Sequence, residues 1–162
     1  MALALSACGY RTQGRAVRLP RDLQTVAIPA FENATNAYRV EQVLTEAVVR
    51  EFISRTRYRV VNQDDGSADA TLRGTVLSTY IAPVTYDSQT GRASTALVTV
   101  TMKVSLVDRK GRLLYDNPSY LFREQYQISR EPASFFQEES PAIERLAREF
   151  ARTLVNNVLE AY

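Results

Sequence analysis

The stretch Ala70-Thr-Leu-Arg-Gly-Thr-Val-Leu-Ser-Thr-Tyr-Ile-Ala82 and its return, Thr95-Ala-Leu-Val-Thr-Val-Thr-Met-Lys-Val-Ser-Leu106, decide the fold. Both have a period of two. On the first arm Leu72, Gly74, Val76, Ser78, Tyr80 and Ala82 fall on one face, and Thr71, Arg73, Thr75, Leu77, Thr79 and Ile81 on the other. On the return, Val98, Val100, Met102, Val104 and Leu106 point one way and Thr95, Thr99, Thr101, Lys103 and Ser105 the other. Side chains alternate across a strand, so this pattern predicts a sheet with one buried face. The segment between the arms, Tyr86-Asp-Ser-Gln-Thr-Gly-Arg92, is rich in turn formers and reads as a hairpin loop. Asp108-Arg-Lys-Gly111 is a second turn. A third strand follows, with Tyr120, Phe122 and Tyr126 on one side and Pro118 at an edge or irregularity.

Upstream, Thr25-Val-Ala-Ile-Pro-Ala-Phe31 is a short apolar run that predicts a buried strand. Glu32 to Asn36 is a turn in which Thr35 or Asn36 is suited to cap a helix. Val40, Val43, Leu44, Ala47, Val48 and Phe52 then recur at helical spacing, which predicts an amphipathic helix over about residues 37–55. Tyr58 to Val61 reads as a strand parallel to the first, joined to it by a right-handed crossover. At the far end Ile143, Leu146, Ala147, Phe150, Leu154 and Val158 form the stripe of a second helix. It starts either at Pro141 with Ser140 as cap, or near Ser134 with Gln137 completing a capping box and a kink at Pro141. The expected architecture is α+β: two helices packed on one face of a four- or five-stranded mixed β-sheet.

The chain has 162 residues, no histidine and one cysteine. That length suits one core. A Ser-His-Asp or Cys-His set cannot form, nor a zinc site built on histidine or several cysteines. There is no phosphate-binding glycine loop, no dinucleotide fingerprint, no HExxH and no GxSxG. Asp64-Asp65-Gly66 lacks the spaced acids and terminal Glu of a calcium loop and reads as a polar turn. Glu138 and Glu139 are the only adjacent acids that invite a hydrolase reading, and acids near a helix N-terminus are already favoured by its dipole. The expectation is a protein that is not an enzyme and holds no metal. The formal net charge of +2 gives no ground for a nucleic-acid partner. The 18 arginines against 2 lysines suit bidentate phosphate contacts, although codon bias gives the same excess.

The N-terminus ends an apolar run in Leu5-Ser6-Ala7-Cys8, the pattern of a bacterial lipobox. On this reading residues 1–7 are a residual signal peptide, and residues 8–22 are a lipidated basic tether carrying Arg11, Arg15, Arg18 and Arg21. Residues 23–162 are then a single domain. The tether either favours anionic head groups or merely solvates the link. The covalent lipid on Cys8 would be the only cofactor. Gly9, where an Asp would favour inner-membrane retention, permits export to the outer membrane.

In order and spacing, several motifs resemble the LPS-assembly lipoprotein family, LptE. They are Cys8-Gly9-Tyr10, Leu19-Pro20, Val26-Ala-Ile-Pro29, Phe31-Glu32-Asn33 with Thr35, Leu44-Thr45, and Ala68-Asp69-Ala70 with Leu72 and Gly74. The resemblance implies an outer-membrane lipoprotein, lipid-anchored on the periplasmic side, that plugs the LptD β-barrel. It would help that barrel assemble and help deliver lipopolysaccharide to the outer leaflet. It also implies lipopolysaccharide contacts from basic residues near the hairpin tip and the last helix, which here means Arg92, Arg123 and Arg130. The alternative role is a lipoprotein subunit of another envelope secretion or transport complex.

Overall fold

The computed structural model describes residues 15–16, 23–128 and 135–160. In chain order the elements are β1 (Arg15–Ala16), β2 (Thr25–Ala27), β3 (Glu32–Asn33), α1 (Val40–Arg55), β4 (Arg59–Val61), β5 (Ala70–Tyr86), β6 (Ala93–Asp108), β7 (Leu113–Gln127) and α2 (Phe135–Leu159). The strands form one mixed sheet in the order β1-β7-β6-β5-β2-β4, with β3 also paired to β5. The α+β class is as expected. The sheet has seven strands rather than four or five, because two pieces of two residues each, β1 and β3, add to the five longer strands.

β2 runs parallel to both β4 and β5, while β5, β6 and β7 are antiparallel neighbours. Of the run read as one strand over Thr25–Phe31 only Thr25–Ala27 is strand, as β2, and β3 falls on Glu32–Asn33, in the stretch expected to be a turn. Pro29 lies between them and has no N–H to give to a ladder. Both pieces stay on the edge of β5, at Ala70–Thr71 and Thr75–Val76. The core lies on one side of the sheet. Val98, Val100, Met102, Val104 and Leu106 from β6 join Leu44, Val48 and Phe52 from α1 and Leu146, Phe150 and Leu154 from α2. Phe150 meets Tyr120 and Phe122 edge-on, at 5.9 and 5.1 Å between ring centroids.

Both helix starts differ from one of the sequence expectations. α1 begins at Val40, after Arg39 in the left-handed region (φ 57), with no side-chain cap. Thr35 does not cap it. Its hydroxyl accepts the N–H of Ala37 and donates to Asn33 Oδ1. The Asn33 amide bridges instead to the helix, donating to the Ala37 carbonyl and to Glu41 Oε2, each at 2.8 Å. Thr45 completes the link by accepting the Phe31 N–H at 3.0 Å. α2 starts at Phe135 and carries Pro141 inside it, the earlier of the two starts considered. Ser134 lies outside the described residues, as do Cys8 and Arg130.

One carboxylate fastens the end of the sheet where β2 and β5 begin. Asp69 Oδ2 accepts the N–H groups of Gln24 and Thr25 at 3.0 and 2.9 Å, and Oδ1 takes Arg109 at 3.3 Å. Arg109 also donates to the carbonyls of Ser67 and Ala68. A network of five hydrogen bonds thus ties the entries of β2 and β5 to the β6–β7 turn. On β5, Gly74 is required by packing: a Cβ there would lie 2.8 Å from Phe31 Cδ1 and 2.9 Å from Cγ.

Two stability predictions follow from these contacts. Gly74→Ala should destabilise by about 1–3 kcal/mol through overpacking, and Phe31→Leu in the same chain should recover part of the loss. Thermal unfolding of the single and double variants measures both. The Thr25 and Gln24 amides, then Arg109, hold the Asp69 carboxyl below its ordinary value of 3.8. Its stabilising contribution is therefore present at neutral pH and is lost as the pH falls below that value towards the depressed one. Asp69→Asn should lower the melting temperature at pH 7 and show a shallower fall on acidification than the parent chain.

Candidate functional site

The helices cover one face of the sheet and leave the other open. Which side chains the open face carries depends on a register shift in β5. Val76 pairs with Met102, but Ser78 pairs with Thr101, so Leu77 is an extra residue on its strand. A one-residue bulge exchanges the two faces for everything that follows. Thr79 and Ile81 are therefore partnered with the inward Val100 and Val98. Tyr80 is partnered with Thr99 and stands 67% exposed. This corrects the strict alternation that grouped Ser78, Tyr80 and Ala82 with the buried Leu72. The exchange leaves Thr79 Oγ1 buried without a hydrogen-bond partner among the described residues. A second shift, on β7, lets Tyr120 pair with Met102 and Asn117 with Val104, with Pro118 and Ser119 opposite Lys103. Pro118 thus sits at an irregularity, as its missing N–H predicts.

Beyond the bulge the open face reads Ser78, Tyr80, Ala82 and Thr85 on β5. It continues with Thr95, Leu97, Thr99 and Thr101 on β6, and Leu121, Arg123, Gln125 and Gln127 on β7. Eleven of these twelve side chains are uncharged, and the exception is Arg123. Hydroxyl and amide groups dominate, and Tyr80 and Leu121 supply exposed apolar area. The surface can offer many neutral hydrogen bonds to a partner at little desolvation cost, because it holds almost no charge.

The proposed lipopolysaccharide contacts are not gathered into one pocket. Arg92 stands at the hairpin tip, just after a turn held by Asp87, whose Oδ1 accepts the N–H groups of Gln89 and Thr90 at 3.0 and 2.9 Å. Arg123 pairs with Thr99, in the middle of the open face. Seven residues of β6 separate the two levels, or about 24 Å along the strand. Both arginines are exposed, and neither makes an ion pair among the described residues. Arg130 lies outside those residues, and so do the side chains of Glu138 and Glu139, although both fall within α2. Asp64 does not sit in a cation site. Its carboxylate bonds Arg73 at 3.0 Å, which holds its pKa below the ordinary value. Among the described residues no group of three or more candidate ligands is placed to hold a metal ion, and no helix is long and apolar enough to cross a membrane.

Sequence reasoning missed Tyr80 and Leu121 as surface residues. A signal was present for Tyr80. Apolar residues occupy even positions up to Val76 and then Leu77 and Ile81, a change of parity that marks a bulge.

The chain shares its fold with solved lipoproteins. The solution NMR structure of uncharacterized lipoprotein B from Nitrosomonas europaea is 13% identical, with a TM-score of 0.57 over 93% of this chain and 90% of that one. The crystal structure of the rare lipoprotein B from Shewanella oneidensis is 9% identical, with a TM-score of 0.54 over 84% and 95%. At such identities the likeness is one of fold alone. No curated protein matches the chain in sequence. The profile of the LptE family, described as lipopolysaccharide-assembly, matches residues 23–158. Those residues include the Phe31–Asn33, Thr45 and Asp69 contacts that tie strands to helix and turn, and the chain belongs to the LptE family.

Proposed function

We propose that this chain is a lipid-anchored plug of the LptD β-barrel, acting in lipopolysaccharide assembly at the outer membrane from its periplasmic side. The observation that carries the reading is the part of the open sheet face beyond the bulge, nearly uncharged and rich in hydroxyl and amide groups, on a domain of the LptE family. A barrel lumen is polar. A face rich in Thr, Ser and Gln suits such a wall, whereas a large apolar face would not. In this reading Cys8 carries the lipid, residues 8–22 are the tether and residues 23–162 the plug. The chain assists assembly of the barrel and delivery of lipopolysaccharide to the outer leaflet, and performs no catalysis itself.

Affinity purification from outer membranes should recover LptD with this chain, and depletion should reduce both mature LptD and surface lipopolysaccharide. Recovery of a different envelope complex, with normal LptD after depletion, would assign the chain to that machine instead.

Arg92, Arg123 and Arg130 are the proposed contacts to lipopolysaccharide phosphates. Because Arg92 and Arg123 stand about 24 Å apart along the sheet, they would act as separate contacts. Arg123→Ala should weaken lipopolysaccharide binding several-fold, more at low salt than at high. Arg92→Ala should add an independent loss. Co-purification of LptD should survive Arg92→Ala. Binding that is insensitive to salt and to both substitutions removes this role from the two arginines.

A further inference from the structure

One side of the sheet is bounded by β7, which β1 covers only at Tyr115 and Asp116, while β7 runs on to Gln127. Just past β7 the Ile128 N–H donates to the Ser94 carbonyl at 2.9 Å, on the β6 side. In an antiparallel ladder successive residues alternate in which neighbour their N–H and C=O groups face. Tyr120, Phe122, Glu124 and Tyr126 therefore turn these groups to β6, and Leu121, Arg123, Gln125 and Gln127 turn theirs away from it. No described strand pairs with that outer row. Free strand edges are usually blunted by charges, proline or covering segments. This row carries one charge, Arg123, and Pro118 precedes it rather than interrupting it. A row of main-chain donors and acceptors is matched by an added strand.

The chain supplies a candidate for that strand. β1 is antiparallel to β7, so the residues before Arg15 lead towards the unpaired part of the edge. Tyr10-Arg-Thr-Gln-Gly-Arg-Ala16 alternates, with Tyr10, Thr12, Gly14 and Ala16 in one set and Arg11, Gln13 and Arg15 in the other. Register decides which set meets which face. Ala16 is level with the buried Tyr115, and Arg15 with Asp116. β7 bulges at Pro118 and Ser119, which together stand opposite Lys103. A straight neighbour passes such a pair with one residue. Counted so, Thr12 comes level with Tyr120, Arg11 with Leu121 and Tyr10 with Phe122. Tyr120 and Phe122 lie on the core side of β7, and Leu121 is half exposed on its open side. The less polar set thus follows the core side throughout, and the polar set the open side. Without the bulge the two patterns would be out of step by one residue.

We propose that residues 10–14, which lie outside the described residues, extend β1 along the free edge of β7 as far as Phe122. Arg11 and Leu121 then exchange main-chain hydrogen bonds, and the Tyr10 ring lies beside Phe122 on the core side. Two observations favour this occupant over a second copy or a strand of another protein. The segment is continuous with the β1–β7 ladder already formed. Its reach also fits: residues 10–16 make about 23 Å of strand, and β7 from Tyr115 to Phe122 needs the same length once the bulge counts as one step. Residues 10–16 would then belong to the sheet rather than to a free tether. The proposal rests neither on a lipid at Cys8 nor on the plug reading.

The test is amide hydrogen exchange of the full chain, resolved residue by residue by NMR, with R11P and R11A beside the parent. The Leu121 N–H should be protected in the parent and in R11A, because the ladder uses the main chain. R11P removes the N–H that bonds the Leu121 carbonyl and should speed Leu121 exchange by about tenfold. The Phe122 N–H, turned to β6, should keep its protection in both variants, which shows that the sheet is intact. A nuclear Overhauser contact between the Tyr10 and Phe122 rings is expected in the parent and needs no variant. Fast Leu121 exchange in the parent, undiminished protection in R11P, or absence of the ring contact overturns the proposal. So does Leu121 protection that rises with protein concentration, which would assign the edge to a second copy.

Discussion

The Asp69 carboxylate is the contact on which the arrangement of this domain depends. β2 is only three residues long and lies between β4 and the entry of β5. A strand that short has few ladder bonds, and its parallel pairing is intrinsically somewhat weaker per residue. Two amide hydrogen bonds to one charged acceptor, with Arg109 bound to the same carboxylate, supply the missing constraint. They join chain segments more than forty residues apart in sequence. Asn33 and Thr45 do the same at the other end of the short strands, holding β3 against α1. The residues that give the sequence its family resemblance, Phe31, Asn33, Thr35, Thr45, Asp69 and Gly74, are in this structure mostly the fasteners between sheet, helix and turn.

The bulge at Leu77 has the largest consequence for function. It divides β5 into two halves with opposite faces. In the first half Leu72 and Val76 point into the core, and β2 and β3 cover the edge. In the second half Tyr80 and Thr85 face outward beside the threonines of β6. One continuous strand therefore serves both as a core element and as the support of an open polar surface. A buried polar cluster stiffens the other side of the sheet. The Tyr115 and Tyr120 hydroxyls bond each other, and Asn157 of α2 donates to Tyr120 at 2.8 Å. Burial, followed by the Tyr120 contact, pushes the Tyr115 phenol well above its ordinary value, so it stays neutral at any physiological pH.

The cations fall into two groups with different surroundings. Arg123 lies in a neutral field of hydroxyls and amides, and Arg92 at the end of a long hairpin. Arg57, Arg59 and Lys110 lie at the opposite end, beside acids already engaged by backbone amides. A single net charge hides this division. The formal value of +2 says little about any one surface, because it sums charges that lie on different faces and at opposite ends of the sheet.

The sequence by itself determined the class of the fold, the buried residues of β6 and β7, the stripe of α2, and the hairpin loop. Those features rest on local periodicity, which a stretch of about four to eighteen neighbouring residues already carries. It also set out the candidate chemistry of Cys8, Arg92, Arg123 and Arg130, since residue type is local. It did not determine which face Tyr80 occupies, because a bulge is fixed by the match between β5 and its partner strand. Nor did it determine how α1 begins, because Asn33 and Arg39 replace the cap that Thr35 or Asn36 promised. Only the tertiary structure set Arg92 far from Arg123 and joined Gln24 and Thr25 to Asp69. Distance between residues remote in sequence is decided by strand order and register, and those come from packing rather than from any short pattern in the chain.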